Sequence, residues 1–274
     1  MATPIVMTIA GSDSGAGAGI QADLKTISAL DCYGTSVVTA ITAQNTCGVS
    51  GIHSIPPEMI EQQFMALISD FDINAIKTGM LQDVNTISTV AECIAESKIK
   101  NIVLDPVMVA TSGDKLIFED TILALISKLI PLAKVITPNL YEAEILLNRK
   151  INTLDEMKKA AYDLLDFNSK AVLLKGGHLP FDNDDNIIDS QQKIFDILVT
   201  VKQSSPIIFE NTRIITNNVH GTGCTLSAAI ATFLAKGQSL ETAIRNSEDY
   251  IHKAICAATK LKLGKGNGPL WHFV

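Results

Sequence analysis

Cys224 and its neighbours hold the densest chemistry in this sequence. His220-Gly221-Thr222-Gly223-Cys224-Thr225 reads as a glycine turn that opens a helix, because Leu226, Ala229, Ile230 and Phe233 follow at helical spacing. Gly221 and Gly223 permit a close approach that a side chain would block. The first N–H groups of a helix lack internal partners and sit at the positive end of its dipole, so they attract an anion. A cysteine placed there is expected to have a lowered pKa and some thiolate character. That would make Cys224 a proton acceptor beside developing negative charge. Taken alone, the stretch is equally a plain turn before a core helix.

Other polar residues fall where apolar, β-branched runs end. Asp13 follows Ile5–Ala10, and Gln44 lies in the polar loop Thr42–Thr46 after Thr35–Ile41. Asp105 follows Ile102–Leu104, Asn139 and Glu142 follow Val135-Ile136, and Lys175 follows Ala171–Leu174. Each has an ordinary structural role open to it: a turn former, a helix cap, a first-turn acid, a solvated strand end. Their shared placement at strand ends points instead to one site.

The elements that must position them alternate. Helices are expected over Ile20–Leu30, from Pro57 through Phe71, from the cap Asp83 through Ile94, over Ile122–Leu129, from the cap Asn139 through Leu147, and after the capping box Thr153–Glu156. Strand–helix alternation calls for a mostly parallel sheet with helices on both faces. In such sheets ligands bind beyond the carboxyl ends of the strands. Ile194–Val201 and Ile207–Ile215 have connections too short for crossover helices, so they read as antiparallel hairpins at a sheet edge. Asp182–Asn186 reads as an acidic loop, and a last helix spans about Ser239 to Lys260. One α/β domain over residues 1–274 is expected.

Composition limits the function. The 274 residues are 47% hydrophobic and 19% charged, an ordinary globular balance, with a formal net charge of −7. That charge argues against a nucleic-acid surface. Five scattered cysteines without a C-x-x-C pair fit free thiols in a reducing compartment. Met1–Ala10 lacks the basic start of a signal peptide, and no apolar run approaches membrane-spanning length, so a cytoplasmic protein is expected.

Two phosphate motifs fail. No G-x-x-x-x-G-K-[ST] is present, which removes the P-loop. Gly17-Ala18-Gly19-Ile20-Gln21-Ala22 fits G-x-G-x-x-A, but its glycines start seven residues past Ala10 and Thr39–Gln44 holds no acid for a ribose. A lid or substrate-pocket loop is the better reading of Gly15–Gly19.

The chain resembles the hydroxymethylpyrimidine and phosphomethylpyrimidine kinases of thiamin biosynthesis, in the ribokinase-like superfamily. The likeness is carried by Ala10–Asp23, Thr42–Thr46, Lys77–Leu81, Asp105–Met108, Thr137–Ala143, Lys175–His178, His220–Thr225 and Gly264–His272, in order along the chain. It implies a three-layer αβα fold with a doubly wound, mostly parallel central sheet. It implies ATP and Mg²⁺ as cofactors, with Asp105 and Glu142 holding the metal partly through water. Gly221, Thr222 and Gly223 would form the anion hole, with Asn139, Lys175 and Thr222 on the phosphate side. Gln44 would read the aminopyrimidine through its paired donor and acceptor, and Gly11, Met80 and Val107 would line the ring slot. Cys224 stands where sugar kinases of this fold carry Asp, as proton acceptor or as a group that positions the hydroxyl. Val219 and Ile215 are less polar than in many relatives. The expected partners are small-molecule substrates and a second copy of the chain, with neither nucleic acid nor membrane. A pyridoxal kinase of the same branch is the alternative, and a non-catalytic pyrimidine sensor a remote one.

Overall fold

The computed structural model describes residues 3–108, 119–177 and 193–274. The acidic loop Asp182–Asn186 and His178 lie outside the described residues. The chain runs β1 (Ile5–Asp13), α1 (Gly19–Ala29), β2 (Tyr33–Asn45), β3 (Gly48–Ser54), α2 (Pro57–Ile68), β4 (Ala75–Thr78), α3 (Val84–Ser97) and β5 (Ile102–Leu104). It continues with α4 (Glu119–Ala124), β6 (Val135–Ile136), α5 (Leu140–Leu147), α6 (Leu154–Leu165), β7 (Ala171–Lys175), β8 (Lys193–Thr200), β9 (Ile207–Thr212), α7 (Thr222–Ala235) and α8 (Leu240–Ala258).

The helix starts follow their caps. Asp83 accepts the Thr86 N–H, Asn139 and Thr153 close capping boxes with Glu142 and Glu156, and Ser239 accepts the Thr242 N–H. The helix expected over Ile122–Leu129 is interrupted: after Ala124 the turn widens to a π-helix over Leu125–Leu129.

The strands form one sheet in the order β3-β2-β1-β4-β5-β6-β7-β8-β9. β2, β1, β4, β5, β6 and β7 run parallel, while β3 at one end and β8 and β9 at the other are antiparallel. Alternate side chains enter opposite cores. Ile102, Leu104, Val172 and Leu174 pack with Phe64, Ile87, Leu129 and Leu164 on one face. Val103, Ala171 and Leu173 pack with Ile27, Ile230 and Ile244 on the other. Three layers result. The order reverses direction between β1 and β4, so the crevice at their carboxyl ends is the topological switch point where such sheets bind ligands.

One strand was not anticipated. The segment read as a polar loop, Thr42–Thr46, is mostly the end of β2, and it turns directly into β3. Gln44 is therefore a strand residue, paired with Val49 beside an irregularity between Ala43 and Gln44.

Candidate active site

Asp105 leaves β5 with its side chain buried. Its Oδ1 accepts from Thr137 Oγ1 and from Lys175 Nζ, both at 3.2 Å, and its Oδ2 accepts from Ser227 Oγ at 3.3 Å. Four elements thereby meet at one carboxylate: β5, the residue after β6, the end of β7, and the second turn of α7. Gly223 faces this cluster. A Cβ built there would lie 3.4 Å from Lys175 Nζ and 3.5 Å from Asp105 Oδ2.

Asn139 and Glu142 sit next to it. The Asn139 N–H donates to Glu142 Oε2 at 2.8 Å, and the Glu142 N–H donates to Asn139 Oδ1 at 2.9 Å. Asn139 is thus a helix cap as well as a candidate ligand, and its amide nitrogen is the donor it has to offer. The backbone of Asn139 bridges to Lys175, whose own N–H donates to Pro138 O at 2.9 Å.

A second group gathers at the switch point. Gly11 is buried, and a Cβ there would come 2.6 Å from Met80 Cε, so Met80 lies over the glycine. Thr39 Oγ1 donates to Met80 O at 3.0 Å and fixes that turn. Val107 is half-buried two residues past Asp105, and Met108 next to it is in the core. Gln44 has its Oε1 3.1 Å from Thr42 Oγ1 and its Nε2 3.4 Å from His220 Nε2.

The turn before α7 joins the two groups. Its His220 faces Gln44, and its Gly223 faces Lys175 and Asp105. Gly221 caps α7 in the left-handed region with φ 86°. Of the three N–H groups expected to form the anion hole, that of Thr222 donates to Val219 O at 3.2 Å, and Thr222 Oγ1 donates to the same carbonyl at 2.6 Å. Gly223 and Cys224, next in the first helical turn, are the N–H groups whose intrahelical acceptors are missing by helix geometry.

The family model described as phosphomethylpyrimidine kinase matches residues 13–271. The hydroxymethylpyrimidine/phosphomethylpyrimidine kinase of Rhizobium meliloti is 47% identical over 272 residues, covering 99% of this chain and 97% of that protein. This chain belongs to the phosphomethylpyrimidine kinase family. It is a phosphotransferase of ribokinase-like fold. The crystal structure of phosphomethylpyrimidine kinase from Clostridium difficile is 40% identical with a TM-score of 0.79, covering 92% of this chain and 100% of that one. Pyridoxal kinase from Staphylococcus aureus, in complex with AMP-PCP and pyridoxal, is 33% identical with a TM-score of 0.84, covering 100% of this chain and 94% of that one.

For a phosphomethylpyrimidine kinase the electrostatics are telling. Burial pushes the Glu142 carboxyl up to about 7, with Lys175 opposing and Asp105 adding to the rise. Burial works against a charged Lys175, but Asp105 and Glu142 outweigh it and keep the amine protonated. Two hard carboxylates that repel each other across one lysine suit an oxygen-seeking divalent cation. No cluster of three or more His, Cys, Asp or Glu is arranged as a metal cage among the described residues. Mg²⁺ fits this: it takes one or two carboxylates and completes its shell with water and phosphate oxygens.

Cys224 departs from its expectation. Burial pushes its thiol up to about 11; Lys77 pulls it down, while Asp23 and Asp105 push it further up. The Gly19 N–H directed at the sulfur is too small a counterweight. The helix end alone would have lowered it. The cost of removing a thiolate from water is larger here.

Five contributors were given no role by the reading of the sequence. Thr137 and Ser227 orient Asp105. Lys77 and Asp23 form an ion pair of 2.8 Å with both side chains 0% exposed, and Thr8 Oγ1 donates to Asp23 Oδ2 at 2.6 Å. Lys77 lay inside a motif that carried the resemblance, yet its partner is 54 residues away.

Proposed function

We propose that this kinase transfers the γ-phosphoryl group of ATP to the hydroxymethyl oxygen of 4-amino-5-hydroxymethyl-2-methylpyrimidine. It then phosphorylates the monophosphate to the diphosphate, in thiamin biosynthesis. The reading rests on one observation: a single turn, residues 219–224, reaches Gln44 with one residue and the Lys175–Asp105 pair with another. A ring held at Gln44 would present a substituent along that turn to a cationic phosphate site.

In this reading Gln44 bonds the ring nitrogen and the neighbouring amino group, and Gly11, Met80 and Val107 form the slot for the flat ring. Lys175, Asn139 and the N–H groups of Gly221, Gly223 and Cys224 hold the transferred phosphoryl as its charge spreads. Thr222 contributes by fixing the turn on Val219 O. Asp105 and Glu142 hold Mg²⁺, which when bound neutralises phosphate charge. Cys224 takes the hydroxymethyl proton as a thiolate; it starts as a thiol, whose own proton passes to water beforehand. The protein works as a cytoplasmic homodimer of one domain spanning residues 1–274, as the resemblance implies. Within the described residues no helix is long and apolar enough to cross a membrane.

The test is ADP release by the purified protein with ATP and Mg²⁺, with and without the pyrimidine alcohol. Release should depend on both the pyrimidine and the metal. ADP release that ignores the pyrimidine would overturn the reading.

A further inference from the structure

We propose that Asp13 and His220 form a latch that sets the Gly221–Cys224 turn at its working distance from Gln44, which makes them positioning residues for phosphoryl transfer. The inference rests on the pyrimidine-kinase reading of the site.

Asp13 ends β1 and is 3% exposed. Its Oδ1 accepts the Gly15 N–H at 2.8 Å, and its Oδ2 accepts the N–H groups of Gly17 at 3.0 Å and Ala18 at 2.9 Å. His220 Nε2 donates to the same Oδ2 at 2.9 Å, from 207 residues away. One carboxylate therefore holds the glycine loop with three bonds and the phosphoryl-side turn with a fourth.

The two backbones then meet without room to spare. A Cβ at Gly17 would lie 2.3 Å from His220 Cδ2, and one at Gly221 would lie 1.9 Å from Gly17 O. Glycine at both positions is the condition for this contact. The loop is also pinned to the recognition strand. Ser14 Oγ accepts the Gln44 N–H and donates to Gln44 O, both at 2.8 Å. From behind, the His220 N–H donates to Gly268 O at 3.0 Å, so the latch has a rigid backing. A continuous path results: Gln44, Ser14, the loop, Asp13, His220, then the turn.

The Gly15–Gly19 loop, read from sequence as a lid or pocket loop, is therefore a fixed spacer. Its function follows from what it spaces. A phosphoryl acceptor must sit within a few tenths of an ångström of its attack geometry, and a 1 Å misplacement costs about a hundredfold in rate.

Steady-state kinetics of His220→Ala test the latch. The expected result is a kcat lower by about 30- to 100-fold with a pyrimidine KM within about threefold, because Gln44 stays in place while the turn drifts. Asp13→Ala should lose at least as much, since it also frees the Gly15, Gly17 and Ala18 N–H groups, and the double variant should lose no more than Asp13→Ala, since both remove one device. Asp13→Asn should recover most of the loss, because an amide oxygen at the Oδ2 position keeps three of the four bonds. A kcat within about twofold of the unaltered protein would overturn the latch, as would additive losses or a loss confined to KM. If His220→Ala fails to fold, Gly17→Ala, which drives a methyl into the imidazole, should give the same kcat loss, and normal kcat in it would overturn the proposal. Hydrogen exchange without substrate separates the two readings. Residues 14–19 and 219–224 should exchange faster in the folded His220→Ala protein. Unchanged exchange would overturn the latch whatever the protein phosphorylates. Faster exchange in a protein inert toward pyrimidines would support the latch and overturn only the function.

Discussion

A thiol held near pH 11 at Cys224 has a kinetic consequence. At neutral pH only a small fraction of the molecules carry the thiolate, so a rate that depends on it grows with pH. The folded protein should show kcat/KM rising by about tenfold per pH unit between pH 7.5 and 9.5. In Cys224→Ala that rise should vanish and the rate at pH 9 should fall by about a hundredfold or more. A flat profile in the unaltered protein would reduce Cys224 to a group that orients the hydroxyl. Cys224 also marks the limit of residue-level reading. The residue type and the helix end were legible, but the sign of its pKa shift was not, because burial depends on β1, β4 and α1 packing around it. Asp105, Glu142 and Lys175 were legible for the opposite reason: each stands at the end of an apolar run, and the fold makes all such ends neighbours.

Elements decide how those residues meet. The first turn of α7 abuts the Lys175–Asp105 pair at Gly223, where a Cβ would already lie in van der Waals contact with both side chains. Gly223→Val would push its γ-methyl groups into that pair and close the anion hole. The expected outcome is a kcat loss of about a hundredfold or greater, with Tm changed little, read by kinetics and thermal melting together. Full activity would place the phosphoryl group elsewhere.

At the other end of α7's layer, Glu248 on α8 is buried beside Asp196 on β8. Its Oε2 accepts from Asn211 Nδ2 at 2.7 Å, and its buried Oε1 has no hydrogen-bond partner among the described residues. Burial, with Asp196 adding, pushes the Glu248 carboxyl up to about 8, and burial pushes Asp196 up to about 6. Both values are raised, so the folded chain holds protons that the unfolded chain has already released. Stability from these groups is therefore complete below about pH 4 and is lost as pH rises toward 8. Glu248→Gln keeps the bond to Asn211 and removes the ionisation. It should cut the fall in Tm between pH 6 and 9 by about half or more, and an equal fall in both proteins would contradict the assignment.

β3 shows why one element was missed. Gly-Val-Ser-Gly-Ile-His-Ser lies at the sheet edge with most positions exposed, so no buried face imposes the alternation that reveals a strand. Interior strands such as β5 and β6 were visible because both of their faces are buried and their sequences are apolar throughout.

Across the whole molecule, the sheet order places β1 and β4 at the reversal point, with β2 and β5 flanking them. Gln44 and Gly11 come from one side of that point, on β2 and β1, and Met80, Asp105, Asn139, Glu142 and Lys175 from the other, after β4, β5, β6 and β7. Residues 219–224 cross between them. Strand–helix alternation was enough to infer the layers and the sheet edge that bears the site. The crossing turn was also visible as a motif. Its attachment to Asp13 was not, since contacts 207 residues apart have no local signature.

The ring that occupies the slot at Gln44 is the central claim. The direct measurement is mass analysis of products when the protein, ATP and Mg²⁺ meet equal concentrations of 4-amino-5-hydroxymethyl-2-methylpyrimidine and pyridoxal. The pyrimidine monophosphate should form first and the diphosphate after it, with pyridoxal phosphate slower by about tenfold or more, because a site that bonds an amino group beside a ring nitrogen rejects a ring that lacks the amino group. Pyridoxal phosphate as the main product, or no pyrimidine phosphate at all, would contradict it.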